Sequence, residues 1–263
     1  MPVRQHPEDR LDSLLDADDG TALARFCMYD DDGESVAADV QPLPGAALTA
    51  VAAQARRDLA GVRLDTPDEG LADALVAGGL ALHQATTELR HDLAELPAPP
   101  VLPAGWTLAE PGWDADLARA CDAAYGPDHP NWRWQSGDNE QMRAIFDAGD
   151  PVPPLRSASA RVVGPDGRSA GHVLCAGPVP WTDDVCGWIL DIAVAPHAQG
   201  NGLGRALLTH ALRGTREAGL STLGLSVLDR NPARRLYDNA GFRTHARVFS
   251  VLLPPTADST GTQ

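Results

Sequence analysis

Lysine is absent from this chain of 263 residues, so all 21 basic side chains are arginine. Acidic residues are in excess, and 36 aspartates and glutamates give a formal net charge of −15. Residues 1–100 alone hold 19 acidic and 7 arginine side chains, a balance of −12. A nucleic-acid partner requires a basic surface to meet its phosphates, so none is expected.

Cysteine and long apolar runs are also scarce. The four cysteines, Cys27, Cys121, Cys175 and Cys186, are scattered with no Cys-x-x-Cys pair, so free thiols are expected rather than a zinc site. No apolar run reaches the ~18–20 residues that a membrane span needs, and residues 1–10 lack the apolar stretch of a signal peptide. We therefore expect a cytoplasmic protein with no membrane partner and no metal.

Proline marks a boundary inside the chain. Residues 96–103 hold four prolines, a composition typical of a stiff linker. The sequence therefore predicts a first segment at 1–95, a second segment at 104–255 and a polar tail at 256–263. The length is sufficient for one large or two small domains.

A glycine-rich turn between a strand-like run and a helix-like run is the most informative stretch. The apolar run 188–194 precedes it, the turn 199–205 holds three glycines, and an amphipathic run follows at 206–217. Glycines at such a junction let several backbone N–H groups point at one ligand, and the helix dipole favours negative charge there. Neither a Walker loop nor a dinucleotide-binding turn has this spacing. A pyrophosphate cradle is expected, and a tight turn that binds nothing is the alternative.

Two motifs together resemble the signatures of the GNAT superfamily of N-acetyltransferases. The acetyl-CoA loop of that family reads Gln/Arg-x-x-Gly-x-Gly/Ala, which Gln199, Gly202 and Gly204 match. A second family signature, Ala-x-x-Leu-Tyr-x-x-x-Gly-Phe after an asparagine, is matched between Asn231 and Phe242. The two motifs occur in the order that the family has.

The resemblance implies an α/β (α+β) fold, with a mixed, mostly antiparallel sheet that is splayed at its centre and flanked by helices. Hydrophobic periodicity along the chain agrees with that order of elements. We predict strands over 61–65, 106–110, 158–163, 169–176, 188–194, 222–228 and 242–252, and helices over 46–59, 114–125, 139–148, 203–218 and 232–239.

The first segment contains an echo of the second. Aligned on Gly79 and Gly241, both stretches show a short helix, a glycine stop and a strand with a histidine four residues later. In that alignment Leu75 stands where Tyr237 stands. Residues 1–95 therefore resemble the C-terminal half of a degenerate GNAT domain without a phosphate cradle, and chance similarity is the alternative.

By the resemblance, acetyl-CoA is the co-substrate, and two backbone segments hold it. The pantetheine arm is expected along the free backbone of the central strand at Ile192, Ala193 and Val194. Asn231 is expected to hydrogen-bond that arm, although an asparagine before proline is also a common turn or helix cap. The pyrophosphate is expected on backbone N–H groups of the loop residues Gln199, Gly200, Asn201, Gly202, Leu203, Gly204 and Arg205.

Acetyl transfer to an amine needs an acid for the departing thiolate and a base for the amine. Tyr237 matches the position whose phenol is that acid in many family members, and a core tyrosine is the alternative. Asp191 on the central strand is the first candidate for the base. Strand alternation puts it on the face opposite Ile192 and Val194, where a structural salt bridge is equally compatible. The other candidates are water alone and the side chains of Asp183, Asp184 and His129.

Trp132 and Trp134 flank an arginine in a loop between two expected helices. They are expected to line the acceptor pocket, with core tryptophans as the alternative. The expected function is transfer of acetyl from acetyl-CoA to a primary amine of a small molecule, by direct attack without a covalent acetyl-enzyme. The alternatives are another acyl-CoA, a mycothiol-synthase-like acceptor, or an acetyl-CoA-binding sensor or scaffold. A homodimer is a possible assembly.

Overall fold

The computed structural model describes residues 3–5, 12–31, 33–126, 129, 138–149, 152–182 and 184–255. Two compact units divide the chain. The first unit comprises residues 1–87 and 246–263, and the second unit comprises residues 88–245. The roles expected for the segments 1–95, 96–103 and 104–255 stay predictions, and the expected tail at 256–263 lies outside the described residues.

The helices and strands are numbered in chain order. They are β1 (Val3–Gln5), β2 (Asp12–Asp16), β3 (Ala22–Asp31), β4 (Glu34–Pro42), α1 (Leu48–Asp58), β5 (Arg63–Thr66), α2 (Glu69–Ala77), β6 (Leu82–His91), β7 (Thr107–Ala109), α3 (Ala115–Ala124), α4 (Asp138–Ala148), β8 (Ala160–Val163), β9 (Ser169–Ala176), β10 (Cys186–Val194), α5 (Leu203–Glu217), β11 (Thr222–Leu228), α6 (Arg234–Ala240) and β12 (Arg243–Leu252).

The first unit is a sheet whose strands follow the order β1-β2-β3-β4-β5-β12. Neighbouring strands run antiparallel except β4 and β5, which pair in parallel at Val36↔Arg63. Helices α1 and α2 cover the sheet and bury one hydrophobic core, which includes Leu15, Phe26, Val51, Leu64, Leu71 and Leu75. Leu75 is fully buried, so the position aligned with Tyr237 serves packing in this unit.

The second unit is a mixed, mostly antiparallel sheet with the order β6-β11-β10-β9-β8-β7. The strands β7 to β10 form antiparallel neighbours, whereas β10 and β11 run parallel. Helix α5 packs against one face and α3 against the other. The expected fold class, with its sheet flanked by helices and splayed at the centre, is confirmed.

Helix α5 is the element that positions the glycine-rich turn. Its buried side chains recur at helical spacing and pack on the sheet; they include Leu203, Ala206, Leu207, Ala211 and Leu212. A Cβ at Gly214 would lie 2.1 Å from the carbonyl oxygen of Ser157. Only glycine therefore lets the helix approach this backbone so closely.

Several expected boundaries shift by a few residues for local reasons. The helix expected over 114–125 starts one residue later, because Asp114 is its N-cap and accepts from the Leu117 N–H at 2.8 Å. The helix expected from 232 starts at Arg234, after a turn in which Asn231 Oδ1 accepts from the N–H of Ala233, the N-cap residue, at 2.9 Å. The strands β2, β3 and β4 had no counterpart among the expected elements.

None of the described helices has the length and apolar character that crossing a bilayer requires.

Candidate functional site

Two neighbouring parallel strands part at the centre of the second unit. β10 and β11 stop pairing at Trp188↔Gly224, although both strands continue beyond that point. No further pair joins these two fully described strands. On its other edge β10 stays paired with β9 as far as Val194↔Gly171. The open edge of β10 therefore offers backbone groups to a ligand that lies along it like an added strand.

A β-bulge in β10 decides which side chains face each side of the sheet. The register with β9 shifts between Ile189 and Asp191. Beyond the bulge, Ile192 and Val194 pack in the core with α5, and Ala193 packs against α3. Asp191 thus lies on the face opposite Ile192 and Val194, as strand alternation predicts.

The glycine-rich turn joins the end of β10 to α5. Gly200 and Gly202 have φ angles of +78° and +75°, a conformation that favours glycine. The first backbone hydrogen bond of α5 runs from the Ala206 N–H to the Gly202 C=O at 3.0 Å. The amides of residues 203–205 precede that bond, so no carbonyl four residues earlier in the helix can accept from them.

The side chains of the turn brace it from outside the helix. The Gln199 carboxamide donates to the Val194 carbonyl at 2.9 Å, and the Asn201 carboxamide donates to the Ala198 carbonyl at 3.1 Å. Leu203 is buried in the core, whereas Arg205 is exposed. The turn is held by its own contacts, and its helix-start amides have no acceptor earlier in the helix, which is the arrangement that binds anions.

Helix α6 brings Tyr237 to the same region. A Cβ at Gly204 would already touch the Leu236 side chain at 3.4 Å, so α6 lies close against the start of α5. Tyr237 is buried and meets the Phe242 ring edge-on, with centroids 6.0 Å apart. Burial, with a smaller contribution from the charge of Asp191, raises the pKa of Tyr237. Its phenol therefore remains a protonated, potential donor.

Asn231 has a structural role in the turn before α6. Its Oδ1 accepts from the Ala233 N–H at 2.9 Å, and its carbonyl accepts from the Arg234 N–H at 3.1 Å. This is the turn that sequence analysis gave as an alternative, here an Asx turn, whereas the N-cap of α6 is Ala233. The Asn231 Nδ2 is not used in that bond, so contact with a pantetheine arm stays a prediction.

Asp191 is the hub of a buried polar cluster, which we call the Asp191 cluster and which comprises Asp191, His172, Tyr125 and Cys121. The Tyr125 hydroxyl donates to Asp191 Oδ1, and His172 Nε2 contacts Asp191 Oδ2. The side chains of His172 and Asp191 are 1% and 4% exposed. Cys121 Sγ lies 3.7 Å from His172 Nε2. Asp191 thus has in His172 the partner that the structural salt-bridge alternative requires, and it also accepts a hydrogen bond from the Tyr125 phenol.

Cys121, His172 and Asp191 also place one potential metal ligand each within 4.8 Å of the others. The contact of His172 Nε2 with Asp191 Oδ2 is of hydrogen-bond length, whereas two ligands held by one zinc ion at ~2.0–2.2 Å in tetrahedral geometry stand farther apart. Burial also raises the pKa of the Cys121 thiol, so it stays protonated. The donor set fits a hydrogen-bonded cluster better than a metal site.

Asp184 and His129, two further candidate bases, stand outside the Asp191 cluster. Asp184 is exposed and accepts a hydrogen bond from Thr222, which lowers its pKa. The His129 ring stands edge-on to Tyr125 with centroids 4.9 Å apart, and burial lowers its pKa. Asp183, Trp132 and Trp134 lie outside the described residues, so their expected roles stay predictions.

Sequence analysis did not assign roles to His172 and Tyr125. His172 stands on β9, a strand whose residues are all buried, and a histidine in such a strand is a signal for a buried partner. Tyr125 closes the C-terminal end of α3, and no local pattern links it to Asp191, 66 residues away in sequence.

Residues 123–242 match the protein family described as Acetyltransferase (GNAT) family. Among curated proteins, the chain is 31% identical over 189 residues to a mycothiol acetyltransferase of Thermomonospora curvata. The matched region covers 68% of this chain and 58% of that protein. A mycothiol acetyltransferase of Mycobacterium marinum is 31% identical over 206 residues, covering 73% and 63%. The chain thus spans about three-fifths of the length of these relatives.

Solved structures show the same fold. A GCN5-related N-acetyltransferase from Sphaerobacter thermophilus matches with a TM-score of 0.66 at 18% identity, covering 96% of this chain and 85% of that one. A tandem GNAT protein from the clavulanic acid biosynthesis pathway matches with a TM-score of 0.55 at 17% identity, covering 93% and 83%.

Proposed function

Because this chain belongs, through residues 123–242, to the GNAT family of acetyltransferases, we propose that its second unit transfers acetyl from acetyl-CoA to a primary amine of a small molecule. The observation that carries the proposal is the meeting of three features. They are the first amides of α5, which have no acceptor earlier in the helix, the open edge of β10 and the buried phenol of Tyr237. A thioester donor must be bound at its phosphates and along its pantetheine arm, and its sulfur needs a proton donor.

The donor is held mainly by main-chain groups. The amides of Leu203, Gly204 and Arg205 point from the positive end of α5 and receive the pyrophosphate, with the exposed Arg205 side chain beside them. The open edge of β10 at residues 192–194 receives the pantetheine arm, and Asn231 Nδ2 contributes a donor to that arm. Acetyl-CoA supplies an activated acyl carbon and a thiolate leaving group when bound.

Gly202→Ala tests the grip on the phosphates. A methyl group at φ +75° strains the turn by ~1–2 kcal/mol and disturbs the aim of the amides behind it. Gly219→Ala is the matched control, because Gly219 has φ +81° with open space around it at the other end of α5. By calorimetric titration, we expect acetyl-CoA affinity to fall about tenfold or more in Gly202→Ala alone. Equal affinities in the two variants would show that the turn does not hold the donor.

Tyr237 is the acid that protonates the leaving sulfur. Its buried position keeps the phenol protonated, because burial raises the pKa of a group whose charged form is the deprotonated one. The proton donor is therefore present throughout the neutral range. Direct attack by the amine needs no acyl-enzyme. The thiol of the Asp191 cluster belongs to Cys121, and burial raises its pKa.

Tyr237→Phe removes the donated proton and keeps the ring. We expect kcat to fall about a hundredfold or more, while the dissociation constant for acetyl-CoA stays within about twofold, since no phosphate or pantetheine contact is lost. The wild type should also keep its turnover as pH rises toward the ordinary tyrosine pKa of about 10. Thiol release that continues at the wild-type rate in the variant would retire the role.

Asp191 is the final acceptor of the proton that the amine loses. It lies in the Asp191 cluster, on the face of β10 opposite the core that α5 covers. Its negative charge contributes to the raised pKa of Tyr237. The acceptor amine must be neutral to attack, so a carboxylate near the reacting centre shortens the path of its proton.

Asp191→Asn preserves the shape of the carboxylate and abolishes its proton affinity. We expect kcat/KM to fall roughly a hundredfold, whereas Asp184→Asn, at an exposed carboxylate before the start of β10, should leave it near the wild-type value. Steady-state kinetics over an amine panel measure both. The reverse result, with loss only in Asp184→Asn, would move the base to the loop.

A mycothiol-related acceptor is the second candidate function. Its support is that the relatives reported above carry the name mycothiol acetyltransferase at about three-fifths coverage of their own length. Including the acceptor of those relatives in the amine panel separates this candidate from a simpler amine.

A further inference from the structure

The environment of Asp191 prevents an acceptor amine from reaching it directly. The Tyr125 hydroxyl faces one carboxylate oxygen, and His172 Nε2 faces the other. The Asp191 side chain is 4% exposed. A proton bound for Asp191 must therefore pass through a group that already contacts it, namely Tyr125 or His172.

His172 is placed to hold the carboxylate rather than to deliver protons. It stands in the middle of β9, paired with β8 at Arg161 and with β10 at Ala193, and its side chain is 1% exposed. The indole of Trp113 lies against the ring at a centroid distance of 5.4 Å. Its Nδ1 has no hydrogen-bond partner among the described residues. With no route on from Nδ1 within that part of the chain, the imidazole fixes the orientation of Asp191 through Nε2.

Tyr125 is the least buried member of the Asp191 cluster. It is the C-cap residue of α3 and is partly buried, whereas Asp191, His172 and Cys121 are buried. The ring of His129, four residues further along the chain, stands edge-on against it. Of the two groups that contact the carboxylate, Tyr125 is therefore the one nearer to the surface of the protein.

We propose that Tyr125 relays the proton of the acceptor amine to Asp191, and that His172 positions Asp191 for the transfer. The proposal rests on the proposed function above. The bound ammonium gives one proton to the Tyr125 oxygen while the Tyr125 hydroxyl proton passes to Asp191 Oδ1. The freed lone pair of nitrogen then bonds to the acyl carbon. As the C–S bond breaks, Tyr237 gives its proton to sulfur and takes the second proton from nitrogen. Both tyrosines end the step as neutral phenols and Asp191 ends it protonated, so atoms and charges balance.

The charges around Tyr125 favour a concerted transfer. Asp191 faces it from β10, Cys121 from its own helix, Tyr237 from α6 and His129 from the following loop, while His172 acts through Asp191. Burial and the Asp191 carboxylate raise the pKa of Tyr125 well above its ordinary value. A free tyrosinate is therefore disfavoured, and the phenol passes one proton on as it receives another.

A pH profile of Tyr125→Phe distinguishes a relay from a structural role. Without the relay, only amine that has lost its proton in bulk water reacts, so kcat/KM should rise about tenfold per pH unit up to the pKa of the amine. The wild type should level off at lower pH and exceed the variant about tenfold to a hundredfold near neutrality. Tyr29→Phe, a half-exposed tyrosine of the first unit, is the matched control and should follow the wild type.

The outcomes separate the relay from the proposed function. If kcat/KM of Tyr125→Phe depends on pH in the same way as that of the wild type, at the same or a lower level, the relay is overturned. The proposed function is then still tested by Tyr237→Phe and Asp191→Asn. Failure of the wild-type protein to acetylate any amine in the panel overturns the proposed function, and the relay with it.

His172 has its own test through a conservative variant. His172→Gln keeps an N–H that can donate to Asp191 Oδ2, whereas His172→Leu removes it and leaves the carboxylate with one donor fewer. At equal folded content by circular dichroism, we expect the glutamine variant to retain about tenfold more kcat than the leucine variant, with similar KM. Equal kcat values would remove His172 from the positioning role.

Discussion

The separation of β10 from β11 is the constraint on which the rest of the site depends. Their pairing ends at Trp188↔Gly224, while β10 remains tied to β9 along its other edge. This leaves a row of backbone groups of β10 without a strand partner on one side, inside the sheet of the second unit. Buried backbone groups are almost always paired, so an opened strand edge inside a domain is a strong indication of a ligand that completes it.

The bulge in β10 and the following helix α5 determine which groups stand beside this opening on each face of the sheet. Because the register shifts after Ile189, the strand presents Ile192 and Val194 to the core with α5 and Asp191 to α3. The buried face of α5 fixes the helix, so its first amides are held next to the open edge. Helix α6 lies close to Gly204 at the start of α5, with Leu236 at contact distance, and Tyr237 stands on the same helix. The groups proposed to bind the donor, protonate its sulfur and accept the amine proton therefore depend on one local arrangement of backbone.

The elements of the candidate site that are contiguous in the chain could be predicted from the sequence. The strand, the glycine turn and α5 occupy neighbouring residues, and the second signature places Tyr237 on its own short helix, so local patterns sufficed. The Asp191 cluster was beyond such reasoning, because Tyr125, His172 and Asp191 come from three elements and meet only through strand register and helix packing. Strands β2 to β4 were missed because their mixed acidic and apolar composition resembles that of a loop. Trp132 and Trp134 stay predictions.

Hydrogen exchange of backbone amides, measured by mass spectrometry with and without acetyl-CoA, is the most direct test of this account. The amides of residues 190–205 are those that the open strand edge and the start of α5 offer to the ligand, and bonding to it should slow their exchange. The account predicts ligand-dependent protection concentrated in peptides that cover these residues. Protection confined to other parts of the chain, or unchanged exchange at saturating acetyl-CoA, would contradict it.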